Sequence, residues 1–226
     1  MTRAATALAL AAALAAALAA SAPVPAAALE PAVGRVVRTD GAGCTGTLIA
    51  PDRVLTAAHC VVDRDTGDPL PPKRLRFRAG AAGGRERARA AVAAVRVAAQ
   101  FRHTPQPERL SQLRCDVAVL NLARRVGVTP LATVADPDPG ASFDAVGYPG
   151  ETPRHQRKQY GCTRSERPAP DGLWPTTCFA VPGVSGAPLL TPTRPPRVLG
   201  ILVARWQRIS VAVPLDAPCG ASLPAP

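Results

Sequence analysis

Aromatic side chains are scarce in this chain, at 4% of 226 residues. That leaves too few rings for a platform that stacks single-stranded nucleic acid. Lysine is almost missing: of 27 basic residues only Lys73 and Lys158 are lysines, so arginine carries the positive charge. Acidic residues number 16, and the resulting formal charge of +11 allows adhesion to acidic surfaces without specifying a fold. Histidine occurs three times and no cysteine pair has CxxC spacing, which argues against a metal site. Long uninterrupted helices are excluded beyond the N-terminus by 26 prolines and 18 glycines. No later stretch is long and apolar enough to cross a bilayer. What remains suffices for a core: 47% of residues are hydrophobic and 19% charged, in a length suited to one domain.

The chain opens with Arg3, an Ala/Leu run from Ala4 to Ala20, and small residues at Ala20-Ser21-Ala22 and Ala26-Ala27-Ala28. This is the three-part pattern of a secretory signal, and residues 1–28 are assigned to it. A membrane anchor is the competing reading. Alanine is only weakly apolar, however, and Pro23 and Pro25 follow at once. The mature chain is expected to start between residues 23 and 29 and, without Arg3, to carry +10. Export to an oxidising compartment makes an even cysteine count meaningful. Cys44, Cys60, Cys115, Cys162, Cys178 and Cys219 suggest three disulfides, with about 15 pairings allowed.

From Val36 onward, short apolar runs alternate with Gly, Pro and Asp. Strands are predicted over 45–50, 53–58, 74–78, 116–122, 143–148, 197–204 and 209–215, and the segment 88–101 reads as helix or long strand. Polar, Pro-rich segments at 63–73 and 104–111 read as loops, and 126–140 suits a linker. Many short strands with turns between them indicate a β-barrel or sandwich.

Three residues stand out. His59 lies in Thr56-Ala57-Ala58-His59-Cys60, Asp116 opens Asp116-Val117-Ala118-Val119-Leu120, and Ser185 lies in Pro182-Gly183-Val184-Ser185-Gly186-Ala187-Pro188. Singly each has a bland reading: a surface histidine, a turn aspartate, a tight glycine loop. Together they supply a proton acceptor titrating near neutrality, a carboxylate to orient it, and a hydroxyl that is a weak nucleophile until a base takes its proton. His103 and His155 sit in Arg-rich surroundings and read as exposed loop residues. An α/β-hydrolase esterase would need the order Ser, acid, His, and the order here is His, Asp, Ser.

With these motifs the chain resembles the trypsin-like (chymotrypsin-fold) serine proteases, and within them the bacterial glutamyl-endopeptidase-like branch. The likeness covers roughly residues 36–215 and includes the turn Gly147-Tyr148-Pro149-Gly150. It implies an all-β fold of two antiparallel six-stranded barrels, about 36–125 and 141–216, with the active site between them. It also implies a secreted monomer that hydrolyses protein or peptide substrates with no cofactor. His59, Asp116 and Ser185 would be catalytic, with an oxyanion hole from the N–H groups of Gly183 and Ser185. By the same likeness Phe179, Ala180, Val181, Val203, Ala204 and Arg205 line the specificity pocket. Cys44 pairs with Cys60 and Cys162 with Cys178, leaving Cys115 with Cys219.

The sequence also departs from the family. Val184 stands where animal enzymes carry an activating Asp, and no internal Ile-Val-Gly-Gly start exists. Activity would therefore follow signal removal, or trimming of Leu29 to Arg38. No Asp occupies the pocket floor, and Leu202 follows Gly200-Ile201 where glutamyl-specific members place a His. An apolar pocket for small or medium side chains is expected, with Arg205 either solvated or reaching a substrate carboxylate. Val203 also replaces a Ser that supports the catalytic Asp in many relatives. The rival function is a protease-fold protein, weak or inactive in catalysis, that uses its positive charge to bind anionic polysaccharide or other acidic ligands.

Overall fold

The structure is a computed structural model that describes residues 30–104, 109–135, 142–170 and 172–215. The assigned signal segment, residues 1–28, lies outside the described residues, as does Cys219. No helix among the described residues is long and apolar enough to cross a membrane.

Six strands close a barrel in the order β1-β2-β3-β6-β5-β4: β1 Val33–Arg38, β2 Gly43–Ala50, β3 Arg53–Thr56, β4 Leu75–Ala79, β5 Ala88–Val97 and β6 Ala118–Leu122. All its pairings are antiparallel. The ambiguous 88–101 segment is thus the strand β5, stitched between β4 and β6. Its alanines favour helix in isolation, but both neighbouring strands offer unpaired backbone, and tertiary pairing overrides so weak a propensity. Strand β1 begins before the predicted barrel start and pairs with both β2 and β4. Trimming through Arg38 would remove a barrel strand, so that route to a mature chain conflicts with the fold.

The remaining strands are β7 Phe143–Gly147, β8 Arg157–Cys162, β9 Trp174–Thr176, β10 Pro188–Leu190, β11 Val198–Trp206 and β12 Ile209–Pro214. They form one antiparallel sheet in the order β8-β7-β10-β11-β12-β9. This second sheet curls without a full closing ladder. Its edges are tied instead by the Arg164–Thr176 bridge, the Ser165 N–H to Pro175 carbonyl bond of 2.8 Å, and the Cys162–Cys178 disulfide.

Alternation along the second sheet explains how the two halves join. Val146, Ile201, Val211 and Val213 belong to the same buried cluster as Leu48, Leu55, Phe77 and Leu120 of the barrel. Their neighbours Ala145, Leu202 and Ala212 point the other way, onto Phe143, Trp174 and Leu189. Both faces of these strands are therefore covered, and their sequences read as continuous apolar runs rather than half-polar ones. The chain between β6 and β7 is also anchored, since Leu131 donates its N–H to Leu48 and Val134 to Val198. The candidate catalytic residues lie along the seam between the two halves.

Candidate active site

His59 sits in a single 3-10 turn, Ala58–Cys60, directly after β3. The Cys44–Cys60 disulfide ties that turn to β2 with a sequence separation of 16. Closing a loop of this size is worth about 3 kcal/mol in the chain-entropy treatment. Asp116 lies just before β6 and its side chain is only 4% exposed. It accepts two hydrogen bonds from one residue: the His59 backbone N–H at 2.8 Å and the imidazole Nδ1 at 2.6 Å. The carboxylate thus fixes both the backbone and the ring of His59. Cys115, immediately before it, takes a left-handed φ of 59° and is disulfide-bonded. A non-glycine residue in that conformation costs about 1–2 kcal/mol, so the disulfide helps hold the turn that aims Asp116. The expected partner, Cys219, falls outside the described residues.

The imidazole edge remains 36% exposed towards a cleft. Burial pulls its pKa down, yet the charge and hydrogen bond of Asp116 outweigh that pull, and the pKa is raised above the ordinary histidine value. Arg64 acts weakly in the same direction as burial, through its like charge.

Ser185 occupies the loop between β9 and β10, and it lines the same depression of about 420 Å³ as His59. The hydrogen bonds of the His59 ring run to Asp116, while Nε2 lies 3.6 Å from Cys60 Sγ. Among the described residues no hydrogen bond joins the Ser185 hydroxyl to the imidazole. The serine loop is held from both halves of the molecule. The Ser185 carbonyl accepts the Thr45 N–H at 2.9 Å, the Gly183 carbonyl accepts the Thr45 hydroxyl at 2.9 Å, and the Gly186 N–H donates to Leu202 at 2.7 Å.

Within that loop Val184, Gly186 and Ala187 all donate their N–H groups to chain carbonyls. The N–H groups of Gly183 and Ser185 find no acceptor among the described residues and border the cleft. Unpaired backbone donors are rare in folded proteins, and these two belong to the loop that carries the Ser185 hydroxyl. Gly183 has φ +90°, and a Cβ there would meet the Tyr148 carbonyl at 2.5 Å, so the loop requires glycine at that point.

The expected specificity pocket is only partly assembled as predicted. Ala180, Val181, Ala204 and Arg205 line a depression of about 280 Å³ beside Ser185, joined by Pro182, Val184 and Leu202, which counting along the sequence missed. Phe179 does not reach it; its ring packs against the Arg157 guanidinium at 4.9 Å and its N–H donates to Gln159. Val203 lines a different depression, of about 390 Å³, on the His59 and Asp116 side. Alternation along β11 accounts for this: Val203 shares the barrel-side cluster with Ile201, whereas Leu202 points the other way. His155 is exposed as expected. His103 is not: it is half-buried beside His59, with Nε2 donating to the Arg64 carbonyl at 2.8 Å. Thr45, the clamp on the serine loop, has no counterpart in the sequence reading because a threonine between Cys44 and Gly46 in a strand carries no signal of its own.

Cys44, His59 and Cys60 approach one another closely enough to hold a metal ion. The two sulfurs are bonded to each other and Nδ1 is taken by Asp116, which leaves His59 Nε2 as the one free ligand atom of this trio, too few to hold an ion.

Residues 44–201 match the family model of the trypsin-like peptidase domain. No curated protein matches the sequence. Among solved structures, a Glu endopeptidase in complex with MPD is similar at a TM-score of 0.69 and 21% identity, over 87% of this chain and 90% of that one. The thermostable serine protease AL20 from an extremophilic microorganism aligns at 0.65 and 18%, over 83% and 92%. The scabies mite inactivated protease paralogue S-D1 aligns at 0.67 and 14%, over 84% and 90%. At these identities the structural likeness speaks for the fold.

Proposed function

The chain belongs to the trypsin-like peptidase family, and on that premise we propose that it is a secreted serine endopeptidase acting through Ser185, His59 and Asp116. The observation that carries this reading is the His59–Asp116 pair, with Nδ1 held at 2.6 Å and the ring edge open to the cleft that Ser185 lines.

In the proposed reaction the substrate closes the remaining gap between hydroxyl and imidazole. His59 Nε2 accepts the proton of Ser185 as Oγ bonds to the scissile carbonyl carbon. The carbonyl π pair moves to oxygen, and that oxyanion accepts the free N–H groups of Gly183 and Ser185. The imidazolium, stabilised by Asp116, then gives its proton to the leaving amine as the C–N bond breaks. Water repeats the sequence on the acyl-enzyme, returning the proton to Ser185 and releasing the acid. Removing one oxyanion donor from such a site typically costs about 2.7–4 kcal/mol of barrier. No metal or organic cofactor takes part in this scheme, and a monomer suffices for it.

Apart from Ser185 and Arg205, the lining is apolar (Ala180, Val181, Pro182, Val184, Leu202 and Ala204) and suits a small or medium apolar side chain before the cleaved bond. Two disulfides support an oxidising destination. The test is expression with the native N-terminus. Active protein is expected in the medium with a start between residues 23 and 29, and Ser185→Ala and His59→Ala should each abolish cleavage of an unfolded protein substrate. Unchanged hydrolysis by either variant rejects the catalytic assignment.

A further inference from the structure

Three depressions meet at His59 and Ser185, and their charge is one-sided. Arg35 lines the one shared by both residues, Arg64 borders that one and the His59 side, Arg102 lies on the His59 side, and Arg205 lies beside Ser185. None of these four arginines has a carboxylate partner among the described residues. The ion pairs of the described chain use Arg38, Arg74, Arg78, Arg89, Lys158 and His59 instead. The carboxylate that borders these depressions among the described residues is Asp116, already committed to His59.

Arg35 is the telling case. It is half-buried and stands directly opposite Arg78 in the β1–β4 register. Arg78 is paired with Glu86, whereas Arg35 has no carboxylate partner among the described residues and still feels the Arg78 charge. Burial and then the Arg78 charge lower its pKa from the ordinary arginine value. Like charges placed opposite each other in a sheet are unfavourable, and partial desolvation adds to that. The arrangement becomes favourable when an outside anion enters the depression.

We propose that the substrate is a polypeptide rich in Asp and Glu on both sides of the cleaved bond, its carboxylates pairing with Arg35 and with Arg64, Arg102 and Arg205. This rests on the peptidase reading above and specifies its substrate class. The apolar pocket beside Ser185 takes the residue before the bond, and the arginines read its neighbours. A cleft lined by one sign of charge also concentrates an oppositely charged substrate before it docks.

Two matched quenched peptides test this, each with the same alanine before the cleaved bond. One is flanked on both sides by Asp and Glu, the other by Asn and Gln. Labelling of the wild-type protein by a fluorophosphonate is measured in parallel. The acidic peptide should show a kcat/KM at least roughly tenfold higher at low ionic strength. The two should converge at high salt, where exposed charges are screened. Arg35→Gln and, on the fully exposed side, Arg102→Gln should each shrink the ratio, whereas Arg125→Gln, which borders none of the three depressions, should preserve it. A labelled protein that cleaves the neutral peptide equally well or better, or that leaves the acidic peptide uncut, overturns the substrate class and leaves the peptidase reading standing. Absence of labelling removes the peptidase reading and this inference with it; salt-sensitive retention on heparin would then mark a polyanion-binding protein.

Discussion

The hydroxyl of Thr45 donates to the carbonyl of Gly183 at 2.9 Å, linking the first barrel to the loop that carries Ser185. The same oxygen accepts the Tyr148 N–H at 3.0 Å, and the Thr45 N–H bonds the Ser185 carbonyl. One buried side chain thereby orients the peptide unit that follows Gly183. Thr45→Val keeps the shape and strands the Gly183 carbonyl and the Tyr148 N–H, at an expected cost of about 1–3 kcal/mol in stability. In steady-state kinetics kcat should fall about tenfold or more with little change in KM, because a displaced serine loop weakens transition-state binding rather than substrate binding. Thr45→Ser should recover most of the loss. A KM effect alone would mean that Thr45 merely packs.

The raised pKa of His59 gives a pH prediction with a definite sign. Neutral imidazole is the proton acceptor, so activity should rise with pH through an apparent pKa above about 6.5. Asp116→Asn removes the charge that raises the pKa and leaves the burial that lowers it. The acidic limb should move to lower pH, and kcat should fall by about 10⁴, as when the triad carboxylate is neutralised in related peptidases. The folding linkage runs the opposite way with pH. The His59–Asp116 coupling adds stability below the unfolded histidine pKa and loses it as pH rises through the raised folded value. A variant whose acidic limb stays in place contradicts the electrostatic coupling of the pair.

Gly186 has φ +82°, and a Cβ there would lie 2.2 Å from the Thr45 carbonyl and 2.5 Å from the Thr56 hydroxyl. Gly186→Ala should cost about 3 kcal/mol or more, since strain and a backbone clash combine. Gly161 has a similar φ of +65° but nothing within 4 Å of its added Cβ. Gly161→Ala should cost only about 1–2 kcal/mol, the conformational part alone. Urea unfolding of the two variants separates crowding from conformation, and equal losses would refute the close packing of the serine loop against β2.

Much of this architecture could be read from the chain. Strand β2, β3 and the start of β6 announce themselves through β-branched and aliphatic runs beside the His59 and Asp116 motifs. Strand β8, Arg157–Cys162, has no apolar signature; it exists because β7 offers it a ladder and Cys162 is bonded to Cys178. Strand β9 is only Trp174–Thr176 and contains a proline, which local patterning counts against a strand. Counting from Ser185 takes in Val203 beside Ala204 although consecutive strand residues face opposite sides, and it cannot register that Phe179 turns to Arg157 and Gln159. His103 looked exposed because its sequence neighbours are polar, whereas its burial comes from Arg64, 39 residues away. Motifs that act through nearby residues were legible; contacts supplied by distant strands were not.

The central claim is that His59 activates the hydroxyl of Ser185. It is tested most directly by reacting the native protein with a fluorophosphonate and locating the adduct by peptide mass spectrometry. One modified residue is expected, Ser185, with labelling abolished in Ser185→Ala and slowed by about 10³ or more in His59→Ala. An adduct on another serine, or undiminished labelling of Ser185 without His59, would contradict it.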